Sequence, residues 1–290
     1  MNNYVIITDS ACDLPQEMAD ALELQVIPLT FTIKGQEYSN YLDGREMSAK
    51  EFYQMVRGGE NATTSAVNIN TYHEMIEPLL QAGKDVLVIA FSSGLSNTCN
   101  ASMLAVRELS EKYPDRKVYS VDSLAACMGQ GLLVYHAAMM RKQGVGIDEV
   151  RDWLENNRLR LCHWFTVDDL NHLKRGGRVS AATALLGTML GIKPVLHVDD
   201  EGHLINISKV RGRQAALSAL VDHMAETVEN PEEQMIFISH GDCEKDAEKV
   251  AEMIRERMQV KDIVINYIGP VIGAHSGPGT VALFFLGSRR

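Results

Sequence analysis

A short β-branched run that ends in a polar, hydroxyl-rich loop and passes into a helix recurs along this chain. No other feature of the sequence constrains its fold as tightly. Residues 5–8 (VIIT) end at Asp9-Ser10, residues 85–91 (DVLVIAF) end in Ser92-Ser93-Gly94-Leu95-Ser96-Asn97-Thr98, and residues 117–121 end at Asp122-Ser123. Strand, polar loop and helix at this spacing are the signature of parallel α/β units. Residues 235–239 (MIFIS) and 262–268 repeat the theme less regularly, and residues 194–210 carry Asp199-Asp200-Glu201-Gly202 between alternating apolar positions, which predicts a β-hairpin. At roughly 150 residues per domain, 290 residues predict two domains. A boundary after the helix around Trp153 divides an α/β domain over 1–157, with a mainly parallel sheet flanked by helices, from a smaller α/β domain over 158–290 that holds the hairpin.

Local signals add detail. Residues 25–33 read as one strand turned at Gly35. Asp13 is expected to cap a helix with Pro15 in its first turn, and Ser48 to cap another that runs to Val56. Residues 97–113 read as a helix. The stretch 269–279, with four glycines and two prolines, reads as a loop, followed at once by a helix over 280–286.

Composition narrows the function. Lys and Arg number 28 against 38 Asp and Glu, a net charge of −10. That argues against a general nucleic-acid binder, whose affinity comes from neutralising phosphates. Residues 158–213 run the other way, with an excess of basic side chains that suits an acidic partner. Five cysteines form no C-x-x-C, and nine histidines form no H-x-x-x-H or H-E-x-x-H, so neither a disulfide framework nor a metal site is expected. No apolar run approaches about 20 residues and no basic leader precedes the first strand, which predicts a soluble cytoplasmic protein.

The loops at the strand ends hold the candidate chemistry. Hydroxyls cluster there: Thr8 and Ser10, Thr64 and Ser65, Ser92, Ser93, Ser96 and Thr98, and Ser123. Ligands of parallel sheets bind outside the carboxyl ends of strands, where helix N-termini favour anions. The Ser92–Thr98 loop therefore reads either as an anion cradle or as ordinary helix capping. Ser93 lies outside any G-x-S-x-G elbow, which argues against a hydrolase. Residues 173–180 (LKRGGRVS) form a glycine loop with three cations but no Walker motif, and neither they nor any other stretch reads as a nucleotide site. Residues 181–190 (AATALLGTML) are small and apolar, and fit either a buried helix or the wall of a tunnel. His275, in its glycine-rich stretch, reads either as an anion donor or as a residue that holds the loop together.

Taken together, these residues resemble the DegV family of fatty-acid-binding proteins. The matching pieces are Thr8-Asp9-Ser10 with Asp13-Leu14-Pro15, Thr64-Ser65, Phe91-Ser92-Ser93-Gly94-Leu95-Ser96, Val121-Asp122-Ser123, residues 173–180, and residues 268–280 (IGPVIGAHSGPGT). They run nearly end to end and in order. Two positions depart from the family pattern: Asn97 stands for a glycine and Cys99 for an aromatic.

The resemblance implies two α/β domains with a long-chain fatty acid between them, no other cofactor, and no stand-alone enzymatic activity. It implies that the acid's carboxylate meets Thr64 and Ser93, with Ser65, Ser92, Gly94 and His275 close by, while the acyl tail enters the second domain. It further implies that the protein presents the acid to a separate ATP-dependent fatty acid kinase subunit, which forms acyl phosphate for phospholipid synthesis, and that Arg178 engages that subunit. A monomer is expected. The alternatives are a lipid-sensing regulator, or a stand-alone acyl- or phosphoryl-transfer enzyme using Ser93 with His275. Physical chemistry fits a carrier, because a C16 tail leaving water gains about 0.8 kcal/mol per CH₂, or roughly 12 kcal/mol before ordering costs. The head group then needs only to be oriented, which neutral hydroxyls can do.

Overall fold

A computed structural model of the chain describes residues 4–180 and 191–290; the apolar stretch 181–190 lies outside the described residues. The strands are β1 (Tyr4–Asp9), β2 (Gln25–Ile27), β3 (Thr30–Ile33), β4 (Gln36–Ser39), β5 (Ala62–Ser65), β6 (Asp85–Ala90), β7 (Val118–Asp122), β8 (Leu161–Thr166), β9 (Ile192–Val198), β10 (Leu204–Arg211), β11 (Met235–His240), β12 (Asp262–Tyr267) and β13 (Val281–Leu286). The helices are α1 (Gln16–Ala21), α2 (Ala49–Arg57), α3 (Ile69–Gln81), α4 (Thr98–Lys112), α5 (Cys127–Lys142), α6 (Ile147–Asn157), α7 (Leu170–Arg175), α8 (Arg213–Thr227), α9 (Glu244–Arg257) and α10 (Pro270–Ser276).

Among the described residues three sheets form. The first, ordered β2-β1-β6-β7, is wholly parallel, with α3, α4 and α6 against β6 and β7. The second, ordered β10-β9-β8-β13-β11-β12, is mixed: only β11 and β12 run parallel. The hairpin over Asp199–Gly202 joins β9 to β10 as the sequence predicts. The third is a small antiparallel sheet, β4-β3-β5.

Strand alternation explains how the two halves join. In β8, Cys162 and Trp164 pack with α8 and α9 in one core, whereas Leu161 and Phe165 face a second core shared with the first half. Helix α5 closes that shared core. Its residues Cys127–Val134 are all buried, and it packs on β8, β11 and β13 as well as β6. Full burial of each large side chain there, such as Phe284 or Phe237, contributes about 1.5–3 kcal/mol.

Three local expectations are corrected. Residues 25–33 are not one strand: Pro28 cannot donate to a ladder, and the run splits into β2 of the parallel sheet and β3 of the antiparallel one. Asp13 does not cap α1. It takes a left-handed conformation (φ 49°) at the end of a short 3-10 turn, fully buried, and Pro15 precedes the helix. Residues 280–286 are not a helix. VALFFL is buried on both faces as β13, between β8 and β11, and this β-branched and aromatic run suits a central strand. The preceding glycine-rich stretch is instead the short helix α10, with Pro270 at its first position and Gly277 (φ 76°) just past its end.

Candidate functional site

Hydroxyls at the strand ends divide into two sets. One set serves the backbone. Thr8 Oγ1 donates to Ile89 O at 2.8 Å and accepts from Gln130. Ser10 Oγ accepts from Leu29 N and Asn40 Nδ2. Ser123 bonds within its own turn. Ser92 Oγ donates to Gly202 O at 3.0 Å and accepts from Gly94 N, and so ties the loop to the β9–β10 hairpin. The other set, Thr64 and Ser65, faces a cavity between the two halves, and Ser96 belongs to both, lining that cavity while its Oγ accepts from Thr98 N at 3.3 Å.

This cavity has about 140 Å³ of open space for a water-sized sphere, less than the ~300–1,000 Å³ of small-molecule sites. Its body is apolar, with Leu29, Phe91, Leu95, Phe165, Leu204 and Ala282 among its walls. Its polar end carries Thr64, Ser65, Ser96, Asn97, Arg178 and His275. Ser92, Ser93 and Gly94 do not line it. The Ser93 side chain is exposed while its N–H donates to Asp122, and Gly94 is pressed against Glu201 and Gly202. Ser96, three residues further along the loop, lines the cavity, and Ser93 does not. Asn97 is at the cavity, whereas Cys99 is fully buried in the core behind it.

The pieces of the polar end are held by identifiable contacts. Pairing of β5 with β3 sets Thr64 opposite Phe31. Val67 N donates to Thr98 Oγ1, and Thr98 Oγ1 is 3.0 Å from Ser96 Oγ, so the segment after β5 is fixed to the serine loop. Helix α10 is steered by Tyr53, whose hydroxyl donates to Ile268 O at 3.0 Å. Asp13 faces its N-terminus at Gly269; burial pushes this carboxyl well above the usual range, opposed by the Gly269 N–H. Arg178 reaches across from the second half, with Nε and Nη2 donating to Leu95 O at 3.1 and 2.9 Å.

Thr64 Oγ1 and His275 Nε2 lie 2.8 Å apart. Burial, aided by the Arg178 charge, pushes the His275 imidazole down to about 4, so it is neutral at pH 7. Its Nδ1 is buried without a hydrogen-bond partner. With its proton on Nε2 the ring donates to Thr64 and leaves the threonine hydroxyl proton for an acceptor; with its proton on Nδ1 the ring accepts from Thr64. The same bond leaves no Ser93–His275 pair, so the structure does not assemble a serine nucleophile with this base.

Thr64, Arg178 and His275 also line a second, outer groove, together with His172, Arg175 and Glu60. Arg175 Nη2 lies 2.8 Å from His172 Nδ1 there. The polar end of the cavity is thus a thin partition between an apolar interior and a polar, basic exterior. Among the described residues no helix is long and apolar enough to cross a membrane, and no group of three or more His, Cys, Asp or Glu could hold a metal ion.

Sequence reasoning placed Ser96 in a loop that read as an anion cradle or a helix cap, without giving it a ligand role, and missed Ser276, which also lines the cavity. It placed Arg178 only at a partner surface, although its guanidinium is part of the cavity wall.

Comparison with known proteins matches this architecture. The chain is 49% identical over all its 290 residues to a DegV domain-containing protein of Clostridium perfringens, covering 99% of that protein. Its fold is similar to that of a fatty-acid-binding DegV family protein from Thermus thermophilus, with 30% identity, a TM-score of 0.88, and 98% and 99% of the two chains covered. It is also similar to DegV, a fatty acid binding protein from Bacillus subtilis, at 29% identity and a TM-score of 0.85, with 99% and 100% covered. The family profile described as "Uncharacterised protein, DegV family" matches residues 3–288, and the chain belongs to the DegV family.

Proposed function

We propose that this protein binds one long-chain fatty acid, with the tail in the apolar cavity and the carboxylate at Thr64, Ser65, Ser96 and His275, and hands it to a separate ATP-dependent fatty acid kinase subunit. The observation that carries this reading is the partition formed by Thr64, Arg178 and His275, with an apolar cavity on one side and a basic groove on the other. A carboxylate held there is oriented by neutral donors while its oxygens stay within reach of a second protein. Ser92, Ser93 and Gly94 shape the loop behind Ser96. In the coupled reaction a carboxylate oxygen attacks the γ-phosphorus of ATP, ADP leaves, and acyl phosphate forms for phospholipid synthesis in the cytoplasm. Arg175 and Arg178 line the groove that meets the partner's acidic surface.

Two measurements test this in sequence. Native mass spectrometry with lipid extraction should find one C14–C18 fatty acid per chain. A protein that is empty and also fails to take up added palmitate overturns the reading. The loaded protein, mixed with a fatty acid kinase subunit and ATP, should give acyl phosphate, trapped by hydroxylamine as the hydroxamate. Binding without transfer overturns the kinase role alone.

A further inference from the structure

Asn97 stands where the polar end of the cavity meets solvent: it lines the cavity and is itself exposed. It is the N-cap of α4, yet its side chain makes no capping bond. Its backbone is helical (φ −75°, ψ 0°), whereas a capping residue is normally extended. Ser96 caps instead, with its Oγ accepting from Thr98 N at 3.3 Å. The Asn97 amide is fixed through its oxygen, as Oδ1 accepts from Asn100 Nδ2 at 3.1 Å. That bond engages the acceptor of the amide and leaves Nδ2, with its two N–H groups, as the end that can donate. The nearby cation is already engaged by the protein: Arg178 Nε, Nη1 and Nη2 each donate to a backbone carbonyl, Leu95 O or Gly176 O.

We propose that Asn97 is a further ligand of the fatty-acid carboxylate, donating Nδ2–H to one of its oxygens at the mouth of the cavity. An ionised carboxylate has about four acceptor sites, and Thr64, Ser65 and Ser96 offer one O–H each. The amide beside them adds a neutral donor at the side open to solvent. A hydrogen bond to a charged acceptor is roughly twice as strong as one between neutral groups, so Asn97 favours an acid over an alcohol of the same chain length. A glycine here would offer no such donor. This inference rests on the fatty-acid reading of the cavity.

The test is the partition of palmitate and of hexadecan-1-ol between the delipidated protein and phosphatidylcholine vesicles. Asn97→Ala should bind palmitate about fivefold more weakly and change hexadecan-1-ol by less than about twofold. Asn97→Asp separates a head-group contact from a role in the helix. A carboxylate at the N-terminus of the 15-residue α4 suits the helix, so the melting temperature of the empty protein should hold or rise. Palmitate binding should nevertheless fall by more than about tenfold, because two carboxylates then face each other. Unchanged palmitate affinity in Asn97→Ala, or equal losses for the two lipids, overturns the proposal. So does an Asn97→Asp protein that holds palmitate as tightly as the wild type. Failure of the wild-type protein to take up palmitate would overturn the fatty-acid reading instead.

Discussion

Gly176 has no side chain because His275 occupies its place: His275 Nδ1 lies 2.1 Å from where a Cβ on Gly176 would sit. The loop after α7 thus holds the imidazole against Thr64 from behind. Gly176→Ala is expected to displace the ring, break the Thr64–His275 bond and weaken palmitate binding by more than about tenfold, the scale of a hydrogen bond to a charged group. Gly177→Ala is the control. No atom lies within 4 Å of its Cβ position, although its φ is 71°, so it should lower the melting temperature through about 1–2 kcal/mol of strain and leave affinity intact. Calorimetric titration of both delipidated variants reads the difference.

Ser96→Ala should cost the carboxylate a hydroxyl, and Ser93→Ala should not, because only Ser96 lines the cavity. We expect a loss of about tenfold or more for Ser96→Ala and less than twofold for Ser93→Ala. A larger effect at Ser93 would return the head-group role to the exposed serine.

His275 makes stability depend on pH. Its pKa falls from an ordinary 6.5 to about 4 in the folded protein, so between those values the unfolded chain holds a proton that the folded chain lacks. Stability from this residue is therefore complete above about pH 6.5 and lost as pH falls toward 4, on the order of 2 kcal/mol for a half-buried group. Asp9 works in the opposite sense, because burial pushes its carboxyl up to about 6 and it takes up a proton on the folded side. The wild-type curve contains both. Subtracting the urea-unfolding curve of His275→Gln isolates the first; equal slopes in the two proteins between pH 4 and 6.5 would refute the neutral buried imidazole.

Gly202 is the corresponding close approach on the hairpin. A Cβ there would stand 2.2 Å from Ser92 Oγ, and its φ of 82° disfavours any side chain. Gly202→Ala should destabilise the protein by more than about 2 kcal/mol, through strain and overpacking together. Ser92→Ala, which removes the bonds to Gly202 O and from Gly94 N without adding a clash, should cost about 1–2 kcal/mol. Urea midpoints with unchanged m-values would establish the order.

Much of the first half was legible. Runs such as DVLVIAF must be buried on both faces, and a polar loop feeding a helix after each of them leaves a parallel sheet as the economical solution. The cap at Ser48 was also readable, and the structure completes it as a capping box with Glu51. The misreadings came from context. GPVIGAHSG carries the Pro-first, Gly-last marks of a helix end to end, but its glycines read more strongly as a loop. VALFFL has no period of its own, so only its neighbours β8 and β11 make it a strand.

The site shows the same division. The sequence by itself determined the hydroxyl-rich loops and the DegV resemblance, because these follow from residue type and order, and that resemblance implied one site for Thr64, Ser65 and His275, which line one cavity in the structure. Only the tertiary structure decided which hydroxyls were free. Thr8, Ser10 and Ser92 are spent on backbone groups across a strand, a loop or the interface between the two halves, Ser123 is spent within its own turn, and Ser96 lines the cavity while capping Thr98 N. A local pattern fixes what a side chain can bond; the partner it meets depends on contacts tens to hundreds of residues away, as between Thr64 and His275.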